Sequence, residues 1–171
     1  MDIAKIILPF GDETNHPKMI VLHAMGQYIH ANQNVLDYYS SKNLELNRDY
    51  HAPEWLRALG YSAHQLIDPS GIRIKCREDA QGAWHARGFN EDSLGVEFLA
   101  KGIHTYSSFS EMIKERWVTD NQYESGILLV RYWMDTYDIA KDQIKCHYEL
   151  SPERKKDPGT GFPLEAFISD L

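Results

Sequence analysis

The sequence predicts a single α/β domain built on a central mixed β-sheet flanked by helices. Three observations carry this. Apolar, β-rich runs at 18–23, 93–99 and 143–148 have the length of strands. Helical patterning occupies stretches between them, most clearly at 120–137. The two alternate along a chain of 171 residues that has no internal repeat, linker or low-complexity tract, which suits one layered domain with one good core.

Taken in order, the first nine residues do not make a secretory leader. Their apolar stretch is short, and Asp2 stands where a positive cluster belongs. Lys18-Met19-Ile20-Val21-Leu22-His23 reads as a buried strand ending on a histidine. Segment 24–60 is mixed, with a short helix over 34–41, a polar, aromatic-rich loop, and a second short helix over 53–59. Runs 61–67 and 72–76 flank Asp68-Pro69-Ser70-Gly71, whose turn chemistry predicts a hairpin. Ser93 to Leu99 reads as a central strand. In the helix over 120–137, Thr119 and Gln122 supply a capping box, and Tyr123, Ile127, Val130, Met134 and Tyr137 share one face as a core stripe. A strand over 143–148 and a closing helix over 163–171 complete the set.

Composition narrows the functional classes. Hydrophobic residues at 43% and charged residues at 25% are ordinary for a globular chain. A net charge of -7 argues against a nucleic-acid partner, whose phosphates must be neutralised, and Arg154-Lys155-Lys156 is the densest basic run. No apolar run approaches the about 20 residues a membrane span needs, so no membrane partner is expected. The expected site of synthesis is the cytoplasm, with any extracellular work requiring an unconventional exit. Cys76 and Cys146 are too few for a disulfide scaffold and read as reduced, packed thiols. On a strand Cys146 would face away from any site that His147 faces.

The stretch from Cys146 to Gly159 is the most informative. It sets His147 at the end of an apolar run, Asp157 ten positions later before Pro158-Gly159, and Lys155 two residues ahead of that aspartate. A neutral imidazole, a carboxylate and a nearby cation are parts of a hydrolytic zinc site. His23 has the same strand-end placement as His147, and either could be purely structural. Asp157 could be a simple turn residue. Glu97 differs, because it lies between Val96 and Phe98 in an otherwise apolar strand, where an unpaired carboxylate is costly.

These pieces run in a recognisable order: Ile20-Val21-Leu22-His23; Tyr61 to Asp68; Ala83-Trp84-His85-Ala86; Asn90 with Ser93-Leu94-Gly95-Val96-Glu97; Thr119 to Tyr123; His147 to Gly159; and Phe162. Over roughly residues 18–168 the chain resembles the type 2 zinc-dependent N-acetylmuramoyl-L-alanine amidases. That group shares its fold with phage lysozyme-like amidases, muropeptide-recycling amidases and peptidoglycan recognition proteins. The resemblance implies one zinc per chain held by His23, His147 and Asp157, with Glu97 as the catalytic glutamate and Lys155 as the catalytic lysine. His64 and His85 match positions that line or buttress the substrate groove, by orienting loops or by touching substrate. Three protein ligands would leave a fourth position for water, as catalytic zinc requires.

The resemblance also implies a peptidoglycan or muropeptide substrate. It points to one monomeric catalytic domain over 1–171, with no separate wall-binding domain. A phage-type endolysin, released to the cell wall by a holin, is the leading reading. A cytosolic recycling amidase acting on soluble fragments is the alternative. A non-catalytic binding module is the rival from another class; such relatives typically lose a ligand, whereas this chain keeps all three. Departures are Cys146 for a common glycine, Glu149 for a common aspartate, Ala24-Met25 for small polar residues, and Ala63 where some phage members carry a catalytic tyrosine.

Overall fold

A computed structural model of the chain, describing residues 3–27, 40–41 and 52–171, contains six strands. They are β1 (Ile3–Lys5), β2 (Met19–Gln27), β3 (Gln65–Ile67), β4 (Arg73–Lys75), β5 (Ser93–Ile103) and β6 (Ile144–Cys146). The helices are α1 (Ala52–Leu59), α2 (Tyr106–Met112), α3 (Asp120–Tyr137), the single turn α4 (His147–Leu150) and α5 (Leu164–Ser169). The strands form one mixed sheet in the order β1-β4-β3-β5-β2-β6, in which the β3–β4 pair is antiparallel and the other pairs are parallel. Among the described residues no helix is long and apolar enough to cross a membrane.

Strand alternation divides the central residues between two faces. Ile20 and Leu22 of β2 and Leu94, Val96 and Phe98 of β5 pack with Ile127, Val130 and Trp133 of α3 and Phe167 of α5. On the other face Met25, Leu66 and Leu99 pack with Trp55 and Leu56 of α1. The in-register pairing of His23 with Glu97 puts both of these polar side chains on that second face, beside the buried apolar Val21, Met25, Leu66 and Leu99.

Helix α3 begins as the sequence predicts. Thr119 Oγ1 accepts from the Gln122 N–H at 3.1 Å, and Gln122 Oε1 accepts from the Thr119 N–H at 3.2 Å. Gln122 does more than cap, since its amide Nε2 donates to the Ile67 carbonyl at 3.0 Å and the Leu99 carbonyl at 2.8 Å, joining α3 to β3 and β5. Gly126 lets the helix approach closely, because a Cβ there would lie 2.7 Å from the Phe98 ring. Gln122→Ala strands two buried carbonyls along with the cap, and should cost about 2–4 kcal/mol in denaturant unfolding. Retention of wild-type stability would mean that water replaces the side chain.

The predicted hairpin forms around Asp68, whose Oδ1 accepts from the Ser70 N–H, the Ser70 hydroxyl and the Ile72 N–H at 2.9, 2.6 and 2.9 Å. Its first strand starts at Gln65 rather than at residue 61. The strand expected over 143–148 needs correction. It ends at Cys146, because Glu149 Oε2 accepts from the Cys146 N–H at 2.6 Å and His147 opens a helical turn. Strand β1 and helix α2 were not anticipated. Of the helix expected over 34–41, only Ser40 and Ser41 are described, and they are helical; the rest, and residues 42–51 of the following loop, lie outside the described residues.

Candidate metal centre and active-site groove

Parallel pairing sets His23 beside Glu97, with His23 Nδ1 3.9 Å from Glu97 Oε1. His147 reaches the same place from the start of α4. The chain then returns so that the Tyr148 N–H donates to the Asp157 carbonyl at 3.0 Å, holding the aspartate against the helical turn. Asp157 Oδ2 lies 3.1 Å from His23 Nδ1 and 3.0 Å from His147 Nδ1, and the two imidazole centroids are 4.4 Å apart. Residues distant in sequence thus converge on one face of the sheet, with His23 in the middle of β2, which runs on to Gln27 rather than ending at the histidine as the sequence led one to expect.

This donor set fits a divalent metal ion. One ligand atom from each of His23, His147 and Asp157 lies within 4.8 Å of the others. Tetrahedral ligation at about 2.0–2.2 Å places ligand atoms about 3.3–3.6 Å apart, a few tenths of an ångström beyond the two contacts made by Asp157 Oδ2. Around the cluster, Glu97 Oε2 and His147 Nε2 are buried without a hydrogen-bond partner among the described residues. The orphaned Glu97 oxygen suits a site completed by something other than protein, whereas His147 Nε2 is the ring nitrogen that does not face Asp157.

Electrostatics separate the carboxylates. Burial pushes Asp157 up, but its contacts with the His147 and His23 rings outweigh this and hold it well below the usual carboxylate range. Glu97 is pushed up to about 8 by burial and the Asp157 charge, against the opposing charge of Lys155. Burial lowers His23 to about 4, favouring the neutral form that a metal ligand requires. Lys155 is half-buried and lines the same groove as Glu97 and Asp157. The groove, about 500 Å³, is also lined by Trp55, Tyr61, Trp84, His85 and Arg154. Tyr61 and Trp84 are exposed aromatics that spacing alone did not single out.

The other two histidines part company. His85 lines the groove, its Nδ1 2.9 Å from His23 Nε2 and its Nε2 3.1 Å from Ser93 Oγ; the sequence offered no sign of Ser93's part. His64 is fully buried behind it and is not a groove-lining residue. Its Nδ1 accepts from the Gly95 N–H at 3.0 Å, so its Nε2 donates to the Gln81 carbonyl at 2.8 Å. Burial lowers His64 to about 4 from an ordinary 6.5. Between these values the unfolded chain binds the extra proton, so stability is complete above pH 6.5 and falls as pH drops toward 4. Metal-stripped protein should lose about 2 kcal/mol at pH 5 relative to pH 7 through this residue, and His64→Asn should show a shallower decline. Equal declines in denaturant unfolding would contradict a neutral buried His64. Cys76 and Cys146 are buried free thiols pushed up to about 12, and neither joins the donor cluster.

With this geometry in hand, three comparisons are informative. The family described as N-acetylmuramoyl-L-alanine amidase matches residues 13–160. The 1,6-anhydro-N-acetylmuramyl-L-alanine amidase AmpD of Haemophilus influenzae is 35% identical over 112 residues, covering 64% of this chain and 58% of that protein. The match therefore spans less than two thirds of the relative. Among solved structures, the N-acetylmuramoyl-L-alanine amidase LysC of Clostridium intestinale aligns over 100% of this chain and 97% of its own, with a TM-score of 0.66 and 22% identity. At that identity the likeness establishes the fold.

Proposed function

The chain belongs to the N-acetylmuramoyl-L-alanine amidase family, and from that premise we propose that it is a zinc-dependent hydrolase of peptidoglycan or its fragments. The bond cut is the amide between the lactyl group of N-acetylmuramic acid and L-alanine of the stem peptide. The observation that carries this reading is the convergence of His23, His147 and Asp157 beside Glu97 in one groove.

His23, His147 and Asp157 hold the metal through two imidazoles and one carboxylate. Bound there, zinc lowers the pKa of its water toward about 7 and polarises the substrate carbonyl. Glu97, adjacent to His23 and with one oxygen unengaged among the described residues, takes the proton of the attacking water and passes it to the departing L-alanine amine. Lys155, on the groove wall, supplies a positive charge to the oxyanion of the tetrahedral intermediate. The exposed rings of Tyr61 and Trp84 offer flat apolar surface for the sugar or the stem peptide.

Mass spectrometry of digested peptidoglycan tests the reaction, with stem peptides bearing a free L-alanine amine as the expected product. Cleavage within the glycan or between stem residues would overturn the assignment. Two substrate forms are open to such an enzyme, the polymer and the small soluble fragments. An endolysin role corresponds to rapid clearing of outer-membrane-permeabilised cells. The name borne by the Haemophilus relative favours soluble anhydro-muropeptides as the second reading. Activity confined to those fragments would set the endolysin role aside and leave the chemistry intact.

A further inference from the structure

We propose that Ser93 and His85 fix the tautomer of His23, so that the metal meets Nδ1 of this ligand while Nε2 keeps its proton. The inference rests on the metal-centre reading above and concerns the hydrogen-bonded chain behind the ligands. Its direction is set at the far end. Ser93 Oγ lies 2.5 Å from the Phe89 carbonyl oxygen, and the serine hydroxyl holds the hydrogen that contact requires. With that hydrogen committed, Ser93 Oγ can only accept from His85, so the proton on His85 sits at Nε2, 3.1 Å away. His85 Nδ1 then has a lone pair, which must accept from His23 Nε2 at 2.9 Å. The proton of a neutral His23 is thus on Nε2, and its Nδ1 lone pair faces Asp157 Oδ2 at 3.1 Å.

Two acceptors at that separation repel unless a cation lies between them. Reversing the chain only moves the mismatch to the contact between His85 and Ser93. Every contact is satisfied when a Lewis acid occupies the His23 Nδ1 side. Gly95 explains how the relay is seated. A Cβ at this position would lie 2.5 Å from His85 Nδ1, so the ring rests directly on the β5 backbone where only glycine leaves room. His85 and Ser93 are positioning residues, acting on the metal through His23.

The experiment measures zinc affinity and ring protonation, neither of which depends on turnover. In zinc-loaded wild-type protein, long-range ¹⁵N–¹H NMR correlations should show the His23 proton on Nε2 and the metal on Nδ1. In competition with a chromophoric chelator, His85→Ala should bind zinc about 10–100-fold more weakly. His85→Asn should recover most of that loss, because its amide oxygen can stand where Nδ1 stood. Gly95→Ala, which displaces the ring without touching a ligand, should weaken zinc as well. Metal on His23 Nε2 overturns the proposal. So does a folded His85→Ala whose affinity stays within about twofold of wild type. If His85→Ala fails to fold, the wild-type NMR measurement decides alone. Wild-type protein that binds no zinc overturns the metal centre, and this inference with it; wild-type protein that binds while the variants match it overturns this inference alone.

Discussion

Asp157→Ala should yield a folded protein that no longer retains zinc and has lost turnover by more than about 1,000-fold. Losing a single oxyanion donor costs about 100–1,000-fold in hydrolases, and loss of the metal removes both the activated water and the polarised carbonyl. Of the three proposed ligands Asp157 is the one whose removal should do most damage, because its one oxygen is the meeting point of both imidazoles, at 3.1 Å from His23 and 3.0 Å from His147. Without it two neutral rings stand 4.4 Å apart with no carboxylate between them. Chelation of the wild-type protein should reproduce the loss, and added zinc should restore the wild type but not Asp157→Ala at the same concentration. The measurements are metal content by mass spectrometry and release of the free L-alanine amine. Full turnover by metal-stripped wild-type protein would remove the basis of the mechanism.

Local signals in the sequence carried much of the architecture. The bounds of α3 follow from Thr119, Gln122 and a stripe that includes Ile127 and Val130, all within one helix. The turn at Asp68 is likewise local, being three hydrogen bonds to one carboxylate oxygen. What escaped depends on contacts between distant segments. Strand β1 is three residues long and exists by pairing with β4, so no period could reveal it. Helix α2 is capped by Thr105 and Ser108, where serine stands in place of the glutamate or glutamine that marks the usual signature. The end of β6 was missed because an apolar run does not say which residue will receive a cap, and Glu149 supplies one to Cys146.

The site was legible to the same degree. Glu97 could be singled out because a carboxylate in an apolar strand is conspicuous. His23, His147 and Asp157 could be gathered only through a family resemblance, since no spacing in the chain relates residue 23 to residue 157. The structure supplies the physical reason for their meeting: β2 lies between β5 and β6, so parallel pairing sets His23, midway along β2, beside Glu97 of β5, and His147 follows directly after β6. Ser93 was invisible as part of the site. Its hydroxyl acts two residues removed from the metal ligand, through His85, and a serine opening a strand is unremarkable in sequence.

Glu97→Gln should separate activity from stability, moving them in opposite directions. The variant preserves volume, so His23, His147 and Asp157 keep their places and zinc should remain bound. Turnover should fall about 100–10,000-fold, the contribution of a positioned proton-transfer group, with the loss in kcat more than in KM. Stability of the metal-free protein should rise. The wild-type carboxyl is pushed up to about 8 from an ordinary 4.5, so the unfolded chain releases its proton at lower pH than the folded one. Between those values the unfolded state binds fewer protons, and wild-type stability declines as pH rises. A glutamine does not titrate, so the advantage of the variant should grow across this window and reach on the order of 2–3 kcal/mol near pH 7. Denaturant unfolding at pH 5 and pH 7 measures it. A carboxylate kept at this cost in an apolar strand makes sense if the reaction needs it. Release of zinc by Glu97→Gln would instead make the glutamate a ligand, and an unchanged kcat would give the proton transfer to another group.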